Sequence, residues 1–447
     1  MKLFFWKSDR KRDQSANVTA IAPMTEPAAA ARRSPQDGHD MIEIDQLDDA
    51  ARIFVHGPHA ELGRKTLRLP DWFDFDLDPD GPEFRTQQLR LWEAITAREN
   101  YDPSVNEDCP EVGGLDAWRQ PGFYASGSSY VVGEQLLGMG LILVRSAATP
   151  ASRVIEYGAG FGQNAVAFAR FGCKVDTVDI NPGFCSAVTT QAERFQIDLT
   201  AHAAPFGYNP AGKDGVYNVI LFSECFHHCW DFPAVIPQLE KMLAPDGKIL
   251  LAGESIYRGP QAPMPTDWGI RLEWETVAVM RIRGWMELGF REEYLTRQFM
   301  NHGFIWGYHA VPQAIPANLY EFVRWTHPTP MQAWPMSPAE ESVWHAPQHG
   351  GRWSRGASYL RLPRYHGIAE MTCICHHSSG RDVELSWGEE RLTLHFSPGE
   401  RKTIRLAMSG LPDQDLKITS NTDRLDTEFP DELGIFVETF GPVPNAD

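Results

Sequence analysis

The sequence predicts an α/β protein with a doubly wound parallel sheet, preceded by a helical segment and followed by an all-β domain. Between about residues 154 and 254, short apolar runs alternate with helical patterns, which is typical of a parallel sheet with helices on both faces. Upstream of that region the apolar periodicity is helical. From about residue 351 onward, short alternating runs are separated by turn signals such as SPGE, the pattern of a β-sandwich.

The chain has 447 residues, too many for one ordinary hydrophobic core, so two or three domains are expected. Its start is rich in Ala, Pro, Ser and charge, has no apolar periodicity, and is predicted to be disordered. The predicted segments are a disordered tail (1–40), a helical N-terminal cap (41–129), the doubly wound domain (130–330) with an insertion (255–290), a Pro- and Trp-rich linker (331–350) and a β-sandwich (351–447).

The composition excludes several classes of protein. A formal net charge of −18 without any basic stripe argues against a nucleic-acid partner. No run approaches the roughly 18 consecutive apolar residues that span a bilayer, and charges interrupt the apolar start of the chain too early for a signal peptide. The 7 cysteines are odd in number and lie mostly in apolar runs, which favours reduced thiols and a cytoplasmic location.

The doubly wound domain is predicted strand by strand. VIEY is followed by a glycine turn and a helix, then KVDTVDI, a helix through SAVTTQAERF, and DLTAH. The alternation continues with VYNVILFSE, a helix through PAVIPQLEKML, and KILLAGE. A later helix, REEYLTRQFMNHGF, and the strand-like WGYHAVP complete the predicted sheet.

The turn after the first predicted strand contains Gly158, Gly160 and Gly162. Glycines let the backbone approach a ligand closely, and the free amides at a helix start face that ligand. Gly160, Gly162 and Ala165 also fit the dinucleotide pattern G-x-G-x-x-A, with Asp179 where that fold places its ribose acid. The glycines alone therefore leave a nicotinamide-dependent oxidoreductase open.

Three further features favour a different cofactor. Glu156 precedes the glycines, and a carboxylate there would repel a pyrophosphate but suits a ligand with cationic groups. The strand VYNVILFSE ends in the polar cluster SECFHHCWD. Finally, PDGKILLAGE has the glycine turn that usually leads into the last parallel strand.

Together, E-Y-G-A-G-F-G, VDIN, FSECFHH and LAPDGKILLAGE resemble class I S-adenosylmethionine-dependent methyltransferases, over about residues 122–313. The resemblance implies a Rossmann-like fold, methyl transfer (EC 2.1.1) and S-adenosyl-L-methionine as the cofactor. It also implies cofactor contacts: Glu156, Gly158, Gly160 and Gly162 beside the methionine part, Asp179 on the ribose hydroxyls, Ile180 against the adenine, Ser223 and Glu224 closing the pocket, and Tyr124 at the amino-acid end.

Two histidines follow the fourth predicted strand, close to where the resemblance puts the methyl group. An alcohol acceptor loses a proton during methyl transfer, and histidine is the usual base because its pKa lies near neutrality. His227 and His228 are the candidates. If a helix begins there, Asp231 lies four residues from one and three from the other and would orient either ring. The sequence does not decide which histidine is the base.

Two Cys/His groups are candidate metal sites. Cys225, His227, His228 and Cys229 are cramped and match no standard zinc spacing. In AEMTCICHH, alternation puts Cys373 and Cys375 on one strand face, which predicts a place in the core. We therefore predict no metal.

The acceptor is predicted from two regions. The insertion interleaves aromatic and charged residues, and Trp268, Arg271 and Arg281 are candidates to bind a polar ring such as a sugar; helix packing with solvated charges is the alternative. The C-terminal strands, ending in DELGIFV, resemble β-sandwich domains of bacterial surface-glycan enzymes, which implies a saccharide acceptor. A purely structural sandwich that aids homodimerisation or stability is the alternative.

The sequence thus predicts a cytoplasmic S-adenosylmethionine-dependent methyltransferase that acts on a small-molecule or saccharide acceptor, most simply at oxygen. An NAD(P)-dependent oxidoreductase on the same fold and a non-catalytic glycan-binding or scaffold protein remain the alternatives.

Overall fold

A computed structural model describes residues 41–58, 62–109, 112, 120–259, 261–311, 314, 317–422 and 433–443. The tail that is predicted to be disordered, residues 1–40, lies outside the described residues. The chain divides into two compact units, Met1–Leu136 with Pro263–Gly289 and Leu137–Ala262 with Phe290–Asp447. Most of the segment that reads as an insertion in the sequence therefore belongs to the first unit.

Helices and strands are numbered here along the described chain. The α-helices are α1 (Leu47–His56), α2 (Pro82–Thr96), α3 (Pro103–Asn106), α4 (Ser129–Ser146), α5 (Gln163–Phe171), α6 (Pro182–Phe195), α7 (Phe232–Met242), α8 (Trp274–Arg283), α9 (Glu292–Met300) and α10 (Pro338–Ser342). Short 3-10 helices lie at Ile44–Gln46, Gly122–Ser126, Phe226–His228 and Met331–Ala333.

The strands up to the end of the doubly wound region are β1 (Met41–Ile42), β2 (Thr66–Leu67), β3 (Arg153–Tyr157), β4 (Lys174–Asp179), β5 (Leu199–Ala203), β6 (Tyr217–Ser223), β7 (Leu243–Ala252), β8 (Ile256–Tyr257), β9 (Trp268–Ile270), β10 (Leu288–Arg291), β11 (Phe304–Ala310) and β12 (Asn318–Arg324). The later strands are β13 (Thr329–Pro330), β14 (Arg352–Trp353), β15 (Ala357–Leu362), β16 (His366–Ile374), β17 (Arg381–Trp387), β18 (Glu390–Phe396), β19 (Arg401–Ser409), β20 (Gln414–Ser420) and β21 (Phe436–Pro442).

The first unit is mainly helical. Helices α1 and α2 both pack against α8. In α2 the buried residues Phe84, Leu91, Trp92 and Ile95 recur at helical spacing and so form one apolar face. Phe84 meets Trp268 edge to face, with ring centroids 5.2 Å apart. Aromatic packing thus holds this unit together, and its predicted role as a cap stays a prediction.

The second unit contains the predicted Rossmann-like sheet, which is confirmed. Its strand order is β11-β12-β7-β6-β3-β4-β5. Strands β3 to β7 pair in parallel, whereas β12 pairs antiparallel with both β7 and β11. Strand β12 was not expected from the sequence, since its segment NLYEFVR lies beyond the last predicted strand. The order reverses between β3 and β6, and ligands of open α/β sheets bind at the carboxyl ends of strands at such a switch point.

Helices cover both faces of this sheet. On one face, buried residues of α4, α5 and α6 share a core with β3, β4, β6 and β7. On the other face, Phe222 of β6 meets Phe226 at 5.1 Å, and Phe322 of β12 stacks on Phe299 of α9 at 3.9 Å. Burial on both faces explains why these strands read as continuous apolar runs.

The buried carboxylate of Glu321 links the antiparallel strand β12 to α4 and β7. Glu321 of β12 accepts hydrogen bonds from Nε of Arg145 at 2.9 Å and forms an ion pair with Nζ of Lys248 at 2.7 Å. Burial acts to raise the pKa of Glu321, but these cations and His309 outweigh it and lower the pKa to about 2. The ion pairs therefore stabilise the junction of α4, β7 and β12.

The C-terminal region is rich in antiparallel sheet, as predicted. One sheet has the order β13-β21-β16-β19, with β14 also paired to β21, and the other has the order β15-β20-β17-β18. Met371 and Leu406 from the first sheet share a buried core with Leu385 and Ile418 from the second. Alternating buried positions, clearest in β19, explain the alternating pattern of the sequence.

Within the described part of the chain, no helix combines the length and the hydropathy that a membrane crossing needs.

Candidate active site

The glycine turn between β3 and α5 has three residues in the left-handed region. Gly158, Gly160 and Gly162 have φ of 58°, 51° and 70°. A Cβ on Gly158 would lie 2.6 Å from Cβ of Cys225, and one on Gly162 would lie 2.8 Å from Cγ2 of Val188. A Cβ on Gly160 would meet nothing within 4 Å. Two of the glycines are therefore required by packing, whereas Gly160 borders open space.

Asp179 ends β4 beside this turn. Its Oδ2 accepts a hydrogen bond from the Gly160 N–H at 3.0 Å, and its Oδ1 accepts one from the Asn181 N–H at 2.8 Å. Burial raises the pKa of Asp179, against the lowering effect of these two donors and of the nearby His228. A carboxylate offers about four acceptor positions, so Asp179 retains capacity for two hydroxyl groups.

Glu156 is buried and serves the start of α5. Its Oε1 accepts a hydrogen bond from Nδ2 of Asn164 at 3.0 Å, and its Oε2 accepts one from the Ala165 N–H at 2.8 Å. Burial raises the pKa of Glu156 to about 7, although these two donors oppose it. Through these contacts Glu156 holds the start of α5, and its predicted contact with the methionine part of the cofactor stays a prediction.

Three further predicted cofactor residues lie at the same edge of the sheet. Ile180 is half-buried after β4, and Ser223 is half-buried at the end of β6. Glu224 is exposed and has φ of 54°, a left-handed conformation that is uncommon outside glycine. Its N–H donates to the Ala252 carbonyl at 2.8 Å. Their contacts with the cofactor stay predictions.

A histidine–glutamate pair lies after β6. Nδ1 of His227 is 2.8 Å from Oε2 of Glu254, and only 12% of the His227 side chain and 1% of the Glu254 side chain are exposed. Glu254 also accepts hydrogen bonds from the N–H groups of Cys225, Phe226 and His227, at 2.9, 2.9 and 3.1 Å. One buried carboxylate therefore fixes both the turn and the histidine ring.

This pairing sets the protonation pattern of the ring. Burial acts to raise the pKa of Glu254, but the hydrogen bond and charge of His227 and the backbone donors outweigh it and hold the pKa below its usual value. When Nδ1 carries the proton and donates it to this carboxylate, Nε2 is the ring nitrogen that can take up a second proton. The pair has the arrangement of a general base and its orienting acid.

For His227 the orienting acid is Glu254, whereas the predicted role of Asp231 toward His228 stays a prediction. Asp231 was to lie one helical turn from the histidines, but α7 begins at Phe232, and Asp231 is an exposed residue just before it. The carboxylate on Nδ1 of His227 belongs to Glu254. Strand register explains this, because Ser223 of β6 pairs with Ala252 of β7 and brings the residues after both strands together. In the sequence, the available signal for this partner was Glu254, the acid that ends the strand-like run KILLAGE.

His228 lies beside His227, with ring centroids 4.3 Å apart. Burial raises the pKa of Asp179 and His228 acts against that rise, so His228 lies near the carboxylate that ends β4. The structure thus brings both predicted histidines to the carboxyl edge of the sheet. His227 has Glu254 as its orienting partner.

Four predicted residues lie in the first unit and have partners there. The indole N–H of the buried Trp268 donates to the Pro79 carbonyl at 2.9 Å. Arg271 is paired with Glu287, and Nε of Arg281 lies 2.8 Å from Oδ1 of Asp48. These contacts favour the packing alternative over substrate binding for the three residues. The fourth, Tyr124, is 39% exposed in the 3-10 helix Gly122–Ser126, and its cofactor contact stays a prediction.

The cysteines considered as metal ligands have packing contacts. Sγ of the buried Cys225 donates to the Tyr157 carbonyl at 3.1 Å and so joins the turns after β3 and β6. Burial raises the pKa of Cys225 well above its usual value, which keeps the thiol protonated. Cys373 and Cys375 are fully buried in the C-terminal core.

Residues 134–305 match the model of a family described as a methyltransferase domain. The match identifies a methyltransferase domain within the chain, and the predicted cofactor, S-adenosyl-L-methionine, is confirmed. No curated protein matches the chain in sequence.

Several solved structures have a similar fold. Geranyl diphosphate C-methyltransferase from Streptomyces coelicolor A3(2) is 15% identical, with a TM-score of 0.35 over 55% of this chain and 98% of that one. The 1,6-didemethyltoxoflavin-N1-methyltransferase from Burkholderia thailandensis is 15% identical, with a TM-score of 0.32 over 48% and 92%. A SAM-dependent methyltransferase from Aquifex aeolicus is 11% identical, with a TM-score of 0.30 over 41% and 87%.

The residues present fit this cofactor. Open space next to Gly160 leaves room against the turn, and Asp179 has two acceptor positions for a ribose diol.

Proposed function

We propose that this chain is an S-adenosylmethionine-dependent O-methyltransferase in which His227, held by Glu254, is the general base. The observation that carries the proposal is the 2.8 Å contact between Nδ1 of His227 and Oε2 of Glu254, at the same sheet edge as the glycine turn and Asp179. A base is needed where the acceptor is a hydroxyl group, because its proton must leave during attack.

The remaining requirement is alignment. When bound, S-adenosyl-L-methionine would supply a methyl group activated by its sulfonium: the carbon–sulfur bond would break, with its electron pair kept by sulfur, as the bond to the acceptor oxygen forms. Asp179 would accept hydrogen bonds from the two ribose hydroxyls, and Gly160 would allow the cofactor to approach the turn closely. Rigid placement of this kind lowers the barrier by reducing the entropy lost in bringing two reactants together.

His227 moves one proton. The acceptor hydroxyl donates its proton to Nε2, and the resulting imidazolium is stabilised through Nδ1–H by the carboxylate of Glu254. Because Glu254 is almost wholly buried, its charge is poorly screened and acts strongly on the ring. The proton leaves to solvent after methyl transfer, which restores the base.

The acceptor is proposed to be a small molecule or a saccharide. The predicted link to bacterial surface glycans depends on the sequence pattern of the C-terminal region, and the cytoplasmic location depends on the cysteine usage; both stay predictions. A homodimer and substrate binding by Trp268, Arg271 and Arg281 are likewise untested, and the contacts of those three side chains favour packing.

Equilibrium binding tests the cofactor site. Isothermal titration of the full chain is expected to show binding of S-adenosylhomocysteine and none of NADH. Asp179→Ala is expected to weaken that affinity by roughly 100-fold, because two hydrogen bonds to a charged group are lost. Asp198→Ala is the matched control, since this exposed aspartate precedes β5 at the opposite edge of the sheet.

Two results would contradict the proposal. Binding of NADH without S-adenosylhomocysteine would favour the oxidoreductase. Full turnover in a His227→Ala variant, measured as S-adenosylhomocysteine released with a hydroxyl acceptor, would exclude the base.

A further inference from the structure

A second polar cluster lies at the carboxyl edge of the same sheet, outside the residues assigned above. It consists of Arg258 after β8, Glu292 at the start of α9, Tyr308 of β11 and Tyr320 of β12. Tyr320 is in register with Leu251 of β7, which in turn pairs with Phe222 of β6. Since neighbouring strands are about 4.8 Å apart, Tyr320 lies roughly 10 Å from the end of β6.

Glu292 anchors this cluster. It is only 1% exposed, and its Oε1 accepts a hydrogen bond from the Tyr320 hydroxyl at 2.8 Å and lies 2.8 Å from Nε of Arg258. Its Oε2 is buried and has no hydrogen-bond partner within the described ranges. Burial raises the pKa of Glu292, although Tyr320 and Arg258 oppose it. Glu292 thus holds the guanidinium at Nε only.

The aromatic ring of Tyr308 lies against the guanidinium of Arg258. Cζ of Arg258 lies 4.7 Å from the centroid of the Tyr308 ring, within the range of a cation–π interaction. The Arg258 side chain is 36% exposed. Among the residues that the structure describes, none forms a hydrogen bond with its terminal nitrogens, Nη1 and Nη2. The guanidinium of Arg258 is therefore held at Nε by Glu292 and over one face by the Tyr308 ring. Neither contact is a hydrogen bond from Nη1 or Nη2.

We propose that Arg258 binds an anionic oxygen group of the methyl acceptor, a carboxylate or a phosphate, and that Glu292 and Tyr308 position it. The two Nη groups of a fixed guanidinium match the two oxygens of such a group in a bidentate pair. The acceptor then has its anionic group at the end remote from the reacting hydroxyl. This inference rests on the proposed function and adds the class of substrate.

Anionic fragments test this subsite on the full chain saturated with S-adenosylhomocysteine. The probes are benzoate, phenyl phosphate and the neutral benzamide, each titrated by calorimetry or ligand-observed NMR. At least one anion is expected to bind the unchanged protein, whereas benzamide is not. Binding of phenyl phosphate alone assigns a phosphate acceptor, and binding of benzoate alone assigns a carboxylate.

Variants separate recognition from folding. Arg258→Gln removes the guanidinium, and Arg258→Lys keeps the charge next to Glu292 but lacks the fork; each is expected to weaken anion binding about tenfold or more. Arg297→Gln is the matched control: Arg297 has a side chain 35% exposed, lies 5.5 Å over the Tyr294 ring and pairs with Asp413 near the end of α9. Its anion affinity is expected to stay unchanged.

The outcomes also separate this inference from the proposed function. The inference is overturned, even where S-adenosylhomocysteine binds normally, if the unchanged protein binds no anion, or if both Arg258 variants bind the anion as tightly as the unchanged protein does. Failure of the unchanged protein to bind S-adenosylhomocysteine overturns the proposed function instead.

Discussion

Replacing Gly160 with alanine separates cofactor binding from folding. The added Cβ would meet nothing within 4 Å in the protein, so the substitution introduces no clash of its own. It does place an alanine at φ of 51°, in the left-handed region. The same methyl group points into the space that the cofactor is proposed to occupy, so binding is expected to suffer far more than stability.

The two effects differ in size. An alanine in the left-handed region costs about 1–2 kcal/mol, and the smaller entropy of the unfolded chain offsets up to about 1 kcal/mol of that. Overpacking of a filled site by one methyl group costs about 1–3 kcal/mol. The dissociation constant of S-adenosylhomocysteine is therefore expected to rise roughly tenfold to 100-fold, while the free energy of unfolding falls by about 1 kcal/mol.

The assay pairs calorimetric titration of S-adenosylhomocysteine with thermal unfolding of the apo-protein. Gly212→Ala is the matched control, because Gly212 has φ of 61° and a Cβ added there would also meet nothing within 4 Å. It is expected to show the same loss of stability and no loss of affinity. Gly158→Ala is expected to destabilise more than either, since its Cβ would lie 2.6 Å from Cβ of Cys225. Unchanged affinity in Gly160→Ala would refute the placement of the cofactor against this turn.

Three further variants test charges in the second unit. Glu254→Gln is expected to lower kcat about 100-fold while the affinity for S-adenosylhomocysteine is retained. Glu240→Gln is the control: it breaks a more exposed glutamate–histidine pair and is expected to leave kcat unchanged. Equal effects of the two variants on kcat would exclude a special role for Glu254. Because the pKa of Glu156 is about 7 in the folded chain, the folded chain holds a proton on Glu156 between pH 4.5 and 7 that the unfolded chain has lost, so stability is lost as pH rises through this window. In urea titrations, Glu156→Gln is expected to remove up to about 3 kcal/mol of that loss. Parallel plots of unfolding free energy against pH for the unchanged protein and the variant would contradict this. The pKa of about 2 for Glu321 has the opposite sign, so its contribution of up to about 3 kcal/mol is present above pH 4.5 and lost as pH falls toward 2; a stability difference between the unchanged protein and Glu321→Gln that stays constant across that range would refute it.

The backbone around the proposed cofactor site could be predicted because it lies in one short segment. The glycines Gly158, Gly160 and Gly162 form the turn between β3 and α5, and Asp179 ends the next strand, as the strand–turn–helix pattern predicts. The positions of such residues depend on local geometry: the turn is fixed by glycine conformation and the acid by the end of a parallel strand.

The partner of His227 could not be predicted with the same rule. Helical spacing pointed to the nearest acid, Asp231, whereas the structure uses Glu254, 27 residues away along the chain. The arrangement depends on the register of β6 with β7, which pairs Ser223 with Ala252. Register depends on how two strands pair, so the sequence of one strand alone does not predict it.

By itself, the sequence determined the succession of strands and helices, the conformation of the glycine turn and the acid at the end of β4. Each of these follows from periodicity and backbone preference within a stretch of roughly 5 to 20 residues. The tertiary structure decided that β12 enters the sheet antiparallel and that residues 263–289 join the first unit. It also placed Glu254 and Arg258 at the carboxyl edge of the sheet. Those outcomes depend on which distant segments bury each other's apolar surface and satisfy each other's charges, and only the folded chain brings these segments together.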